Sequence, residues 1–407
     1  MLGFVAGNIL YQGLSWLVVL LLARYRGTVV VGQYALGLAI TTPIFLFAHL
    51  QLRILLITES LSLSDLHSLW RLRTAALLLA SIASFAVSLY LAAPDALPVL
   101  LTVICTRVAE GLSDLCHAVF QRLDRLTWVT VSLVVRGVVV TVLLLISLTT
   151  VAAYLVDILA VAFGTLMVLI SVDLVLYRSL RLDSRLPASP TPYRTIVQQG
   201  ASLGGVSLLT NFGTNIPRYF LYRSGGDHLL GVFSLLYYFA VAAGMIADIM
   251  GHALQRSFTR RFQAGLHPIR KRHLLVLLAA SAFVSAGLYA AGYYFGPAFM
   301  RTTYNIALDQ GREAAGLILL TSVLLATARI LRYPMNSMGL FRAQLYIAAV
   351  ALAVSAGTAL ATVWRSPLHG AALSLAALVS VELLLNSATL LASNGSRPPA
   401  PGELSPV

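Results

Sequence analysis

A chain of 407 residues in which 58% are hydrophobic and 11% charged lies well outside the composition of soluble globular proteins. Its mean hydropathy of +0.85 signals more apolar surface than a globule in water can bury, whereas a bilayer accepts such surface directly. The formal charge of +13, with Lys271 the only lysine among 28 basic residues, is spread between apolar runs, which fits the positive-inside pattern and not a nucleic-acid-binding face.

Taken in order, twelve runs have the roughly 20 apolar residues that a helix needs to cross about 30 Å of hydrocarbon. They are expected near 2–23, 31–57, 72–93, 96–119, 127–149, 151–177, 195–222, 230–254, 273–296, 314–333, 343–364 and 369–392. Barrel strands would need alternating segments, and runs such as Val138 to Leu145 do not alternate. The first run has no charged n-region and is long enough to span, so it is expected to be a retained helix. Cys105 and Cys116 share one run, about 16 Å apart along a helix axis, so neither an intrahelical disulfide nor a metal site follows.

Positive charge resists translocation, so the connecting segments set the orientation. Loops and helix ends after even-numbered runs carry seventeen basic residues, among them Arg71, Arg73, Arg122, Arg178, Arg194, Arg260, Arg329 and Arg332. Those after odd-numbered runs carry six: Arg24, Arg26, Arg223, Arg301, Arg312 and Arg365. Both termini are therefore expected in the cytoplasm. The domain reading is a six-helix lobe at 1–180, a cytoplasmic linker at 181–194, a second six-helix lobe at 195–392 and a disordered tail at 393–407. A shift of 199 residues aligns Arg24 with Arg223, Gly27 with Gly226, Gly32 with Gly231 and Gln12 with Asn211. An even number of helices per half implies lobes related by an axis along the membrane normal; the competing reading is chance coincidence of Arg-Gly loops.

Ionisable residues inside apolar runs are costly in hydrocarbon and so mark a partner or a wet cavity. The fourth run is richest, with Arg107, Glu110, Asp114, His117 and Gln121 on one helical face. His49 and Arg53 are placed one turn apart on the second run, Arg136 on the fifth, and Asp157 and Asp173 on the sixth. The first run shows Asn8, Gln12 and Ser15; the seventh Asn211, Asn215 and Arg218; the eighth Asp248; and the twelfth Glu382 with Asn386. The plainer reading is structural ion pairing, Arg107 with Glu110, or Glu110 and Asp114 with Arg136, with Arg53, Arg218, Asp173 and Asp248 snorkelling to an interface. The functional reading is a hydrated cavity of net positive charge, suited to an anion.

The stretch LLARYRGTVVVGQYALGLAITTPIFLFAHLQLRILLITE (Leu21 to Glu59) resembles the opening of Wzx-type polysaccharide and O-antigen flippases, the polysaccharide branch of the multidrug/oligosaccharidyl-lipid/polysaccharide (MOP) exporter superfamily. RVAEGLSDLCHAVFQRLDR, FGPAFMRTTYNIALDQGREAAGLILL and GAALSLAALVS are similar to later parts of the same family. The resemblance implies an all-α, MATE-like fold of about twelve transmembrane helices in two lobes. It also implies a non-enzymatic transporter in a bacterial inner membrane that moves a polyprenyl-pyrophosphate-linked oligosaccharide to the outer leaflet by alternating access, beside other polysaccharide assembly proteins. By the same resemblance, Arg53, Arg107 and Arg136, then Arg24 and Arg218, are the expected pyrophosphate ligands. Glu110, Asp114, Asp157, Asn211, Asn215, Asp248, Glu382 and Asn386 are the expected polar cavity or coupling residues, with no cofactor and with sodium or protons as the coupling ion. Two rivals stand beside it. A MATE-like exporter of cationic drugs would favour an acidic cavity. A membrane glycan polymerase or ligase would need an outer loop bearing catalytic groups, for which Gly296 to Glu313 offers Arg301, Asp309, Arg312 and Glu313.

Overall fold

The computed structural model describes residues 2–57, 65–151, 153–180, 192–307 and 311–393. Most of the expected tail and most of the expected linker lie outside them, as does Asp309. The described chain folds into helices: α1 (Leu2–Ala48), α2 (Leu52–Ile57), α3 (Leu66–Leu91), α4 (Leu97–Arg122), α5 (Leu126–Thr150), α6 (Tyr154–Val168), α7 (Leu174–Ser179), α8 (Tyr193–Gln263), α9 (Lys271–Tyr304), α10 (Arg312–Ser337), α11 (Phe341–Thr362) and α12 (Pro367–Ala392). A π-helical turn at Leu169–Asp173 joins α6 to α7.

Among the described residues ten helices are long and apolar enough to cross a membrane. Two of them, Gly3–Ala48 and Ser207–Gly251, run for 46 and 45 residues, about twice what one crossing needs. Each is broken at one glycine, Gly27 at φ 79° and Gly226 at φ 66°. With ψ near 180° in both, this is a backbone conformation essentially open only to glycine, and glycine is what the sequence supplies. Counted on either side of these breaks, the ten helices hold twelve apolar segments. The expected loops at 24–30 and 223–229 are therefore single-residue breaks in otherwise continuous helix.

The chain divides into two compact units, Met1–Leu208 and Leu209–Val407. In the first, α1 packs on α3, α4 and α5, and α4 and α5 pack on α6. A buried leucine cluster, including Leu52, Leu56, Leu69, Leu115 and Ile196, ties α2, α3, α4 and the start of α8 together. In the second, α10 packs on α9 and α12, and α12 on α11, around Leu274, Leu331, Met335, Ile347 and Leu390. Large apolar side chains such as Leu78, Leu79, Ile82 and Phe283 face outward, as hydrocarbon permits.

Two departures from the expected boundaries matter for the charged residues. Helix α1 stops at Ala48, and Leu50 and Gln51 both take φ 47° before α2 begins, so His49 and Arg53 are not one turn apart on one helix. Non-glycine residues in that region are strained. The break is held in place by α8, where Gly200 lets the Leu50 carbonyl approach so closely that a Cβ would lie 2.4 Å from it, and Ser207 accepts a hydrogen bond from Gln51 at 2.9 Å. Helix α3 begins at Leu66, six residues before its expected start, which draws Arg71 out of the loop and sets Arg73 well inside the helix.

Candidate functional site

The charged residues of the first unit assemble along α4. Asp114 is shared by two arginines: Arg53 on α2 meets Oδ1 at 3.1 Å, and Arg73 on α3 meets Oδ2 at 3.0 Å. Arg53 also donates through Nε to Gln121 Oε1 at 3.0 Å. The two cations differ in exposure, since the Arg73 side chain is 0% exposed and that of Arg53 33%. Buried Nε and Nη1 of Arg73 have no hydrogen-bond partner among the described residues. Two arginines against one carboxylate leave one uncompensated positive charge, and Arg53 is the member that reaches the surface.

The other two expected arginines are differently placed. Arg107 pairs with Glu110 one turn along α4, and both side chains are about a quarter exposed, at 25% and 27%. Tyr11 of α1 lies within electrostatic range of Glu110, Arg136 and Arg107. Arg136 of α5 is buried and donates to Asp173 Oδ2 at 2.8 Å, so its partner is neither Glu110 nor Asp114, and Asp173 does not snorkel. His117 Nε2 lies 2.9 Å from Ser132 Oγ and 3.4 Å from Asp173 Oδ1. Arg53, Arg107 and Arg136, the three arginines expected at the pyrophosphate, enter separate pairs with Asp114, Glu110 and Asp173; of the ion pairs expected as the plainer reading, Arg107 with Glu110 is present and Arg136 with Glu110 or Asp114 is not. The plain reason is that several unpaired charges in one bundle would each carry a desolvation penalty.

Near the break at Gly27, Arg24 is exposed, whereas Arg26 holds the fully buried Asp157 through Nε at 2.6 Å. Ser147 also donates to Asp157. In the second unit Arg218 donates to Asn215 at 3.0 Å and lies over the Tyr237 ring at 4.4 Å, and Asn215 donates to the Asn211 carbonyl at 2.8 Å. Asp248 accepts from Arg329 at 2.7 Å. Glu382 accepts from Arg332 at 2.8 Å, and Asn386 reaches the Ala328 carbonyl at 3.4 Å. Arg73, Arg329 and Arg332, read from sequence as topological charges at helix ends, are therefore helix residues that pair with neighbouring helices. The segment expected to be an outer loop is helix as far as Tyr304, with Arg301 exposed on it, and Glu313 lies 3.3 Å from His369.

Sequence reasoning missed Arg73, Arg26, Arg329 and Arg332. A usable signal existed for Arg73: Arg71 and Arg73 cannot share a helical face, so one of them turns inward once α3 starts early.

The chain has the fold of MOP-superfamily transporters. It matches "Lipid II flippase MurJ, inward closed conformation" with a TM-score of 0.72 at 11% identity, covering 96% of this chain and 88% of that one. It matches the MATE multidrug transporter DinF-BH with a TM-score of 0.64 at 14% identity, covering 97% and 94%. A MOP-superfamily transporter from Pyrococcus furiosus, described as having a binding pocket of reverse polarity, matches with a TM-score of 0.59 at 13% identity, covering 97% and 95%. No curated protein sequence matches the chain. The family model of polysaccharide biosynthesis proteins matches residues 3–254, more than half of the chain, and the chain belongs to that family.

Proposed function

We propose that this chain is a flippase that carries a polyprenyl-pyrophosphate-linked oligosaccharide from the cytoplasmic to the outer leaflet by alternating access, for the assembly of a surface polysaccharide. Family membership and the MOP fold support a transporter of glycan intermediates. The observation that carries the headgroup chemistry is the sharing of Asp114 between Arg53 and Arg73, with only Arg53 substantially exposed. Moving a pyrophosphate through hydrocarbon unaided costs on the order of tens of kcal/mol. An arginine fork that shares its carboxylate with a second arginine can exchange part of that bond for phosphate oxygens, because Arg73 keeps Asp114 neutralised when Arg53 turns to the ligand. The prenyl tail needs no polar site and stays in lipid. No bond to the substrate is made or broken in this cycle.

The membrane on this reading is a bacterial inner membrane, with both termini and the basic loops in the cytoplasm and the lipid-linked glycan as the principal partner. A negative-inside potential then favours outward movement of each negative charge by about 2.3 kcal/mol per 100 mV. The net positive charge at Asp114 argues against a cationic drug as substrate. The test is surface glycan display in cells that depend on this chain. Arg53→Gln is expected to cut display about tenfold or more, the loss that follows removal of one charged hydrogen bond, with normal protein in the membrane fraction. Arg53→Lys keeps the charge without the fork and falls between. Normal display with Arg53→Gln removes the headgroup role.

A further inference from the structure

One cluster in the first unit is too deeply buried to hold a headgroup directly. His117 on α4, Ser132 and Arg136 on α5, and Asp173 in the π-helical turn are each at most 4% exposed. Asp173 divides its two oxygens: Oδ2 accepts from Arg136, while Oδ1 has no hydrogen-bond partner among the described residues and faces His117 Nε2 at 3.4 Å. The same Nε2 stands 2.9 Å from Ser132 Oγ. A buried carboxylate oxygen without a donor is expensive, and the atom opposite is one that can gain a proton. The π-helical turn that presents Asp173 is a local widening of the kind that recurs where a helix serves a function.

We propose that His117 Nε2 and Asp173 Oδ1 form a proton-binding site whose loading is linked to binding of the anionic headgroup at Arg53. This rests on the flippase reading for the headgroup but not for the proton. In the unloaded state the neutral imidazole accepts the Ser132 hydroxyl hydrogen at Nε2. A proton arriving from water takes that position, the Ser132 hydroxyl rotates away, and the Nε2–H donates to Asp173 Oδ1. The local charge rises from zero, Arg136 against Asp173, to +1, and Asp173 now divides its hold between two cations.

The surroundings fix the sign of the linkage. Burial of the ring is the largest influence and opposes the added charge; Asp173 from the π-helical turn and Asp114, one turn back on α4, favour it. Arg136 from α5 and Arg53 from α2 oppose it. Arg73 of α3 acts through Asp114, Tyr11 of α1 faces Arg136, and Cys116 of α4 and Tyr177 of α7 lie nearby. A phosphate on Arg53 offsets one of the two opposing cations, so anion and proton strengthen each other's binding, reciprocally by linkage. From Arg122, the last residue of α4, His117 lies about 8 Å in along the axis, which places the site toward the basic loops.

The experiment is proton uptake by the purified full-length protein in weakly buffered detergent solution, titrated from pH 8 downward until the protein begins to unfold, with and without inorganic pyrophosphate. Wild type is expected to take up one more proton per chain than His117→Gln. Asp173→Asn is expected to move that uptake to lower pH by about one unit, because it removes the carboxylate that stabilises the imidazolium. Ser132→Ala moves it to higher pH, because it removes the bond to the neutral ring, and this small change keeps the test alive if the buried charge variants fail to fold. Identical uptake by wild type and His117→Gln, or no shift in Ser132→Ala, overturns the proton site. Pyrophosphate is expected to draw further uptake in wild type and none in Arg53→Gln. If wild type and Arg53→Gln respond alike while the basal proton remains, the headgroup reading fails and the proton site stands.

Discussion

Gly27 and Gly226 stand 199 residues apart and adopt nearly the same backbone conformation, φ 79° and ψ −177° in one, φ 66° and ψ −168° in the other. Each breaks the first long helix of its half of the chain. The repeat read from Arg24 with Arg223 and Gly27 with Gly226 is thereby matched in backbone geometry, which chance coincidence of Arg-Gly loops does not explain.

A Cβ built on either glycine meets nothing within 4 Å, so the cost of an alanine there is conformational and not steric crowding. Gly27→Ala and Gly226→Ala are each expected to destabilise by about 1–3 kcal/mol, with additive effects because they lie in separate units. With ψ near 180° neither position lies in the left-handed helical region that asparagine tolerates, so asparagine should cost about as much as alanine at both. Thermal unfolding of the detergent-solubilised variants measures this, and an alanine as stable as wild type would mean that these breaks are not fixed by backbone strain.

At Asp114 the expected order of damage follows from burial. Asp114→Asn leaves the fully buried Arg73 uncompensated and is predicted to cost about 3–5 kcal/mol, the range for removing one member of a buried pair. Arg73→Met combined with Asp114→Leu should recover much of that stability, since both charges leave together, yet should not recover glycan display, because Arg53 loses the partner that orients it. Membrane-fraction abundance and display, measured side by side, separate the two effects. Display restored by the double variant would show that the shared carboxylate matters only for folding.

Arg107 and Arg136 are predicted to behave differently although sequence treats them alike. The Arg107–Glu110 pair lies within one helix and is about a quarter exposed, so Arg107→Ala should cost less than about 1 kcal/mol of stability. Arg136→Ala strands the buried Asp173 and should cost about 3–5 kcal/mol, reduced when Asp173→Asn is added. Comparing the unfolding midpoints of the two single variants checks this, and equal losses would contradict the burial difference.

Much of the fold was legible because a membrane span is a property of a run: about 20 apolar residues announce themselves whatever their neighbours. The spans of α4, α5, α6 continued through α7, α11 and α12 fall within three residues of their expected bounds. The partners of the charges were less legible, because pairing depends on which way a helix turns at its end. Nothing at Leu50–Gln51 signals a left-handed break, since neither is glycine and no proline follows; the break is sustained from α8 by contacts distant in sequence. That break sends Arg53 toward Asp114 and Gln121. Arg73, Arg329 and Arg332 lie close to the ends of apolar runs, where a solvated loop charge and a buried helix charge look the same until the helix start is known. His117, by contrast, was visible as one of five polar residues on a single face of α4, but its partner Asp173 depends on a π-helical turn that the apolar run around it conceals.

The orientation of the chain can be tested independently of every charge pair. Arg73, Arg329 and Arg332 are held inside the units, and removing them from the basic count leaves fourteen residues after even-numbered segments against six after odd ones. On the odd side Arg26 is itself tied to the buried Asp157, so the asymmetry survives. Positive-inside topology then predicts that a reporter fused after Arg194 reads as cytoplasmic and one fused after Gly226 as external. Only one apolar arm of α8 separates the two fusion points, so a single crossing must change the reading. Alkaline phosphatase activity paired with green fluorescence decides it: phosphatase activity after Arg194, or fluorescence after Gly226, would invert the chain and place the Arg53–Arg73–Asp114 site toward the outer face.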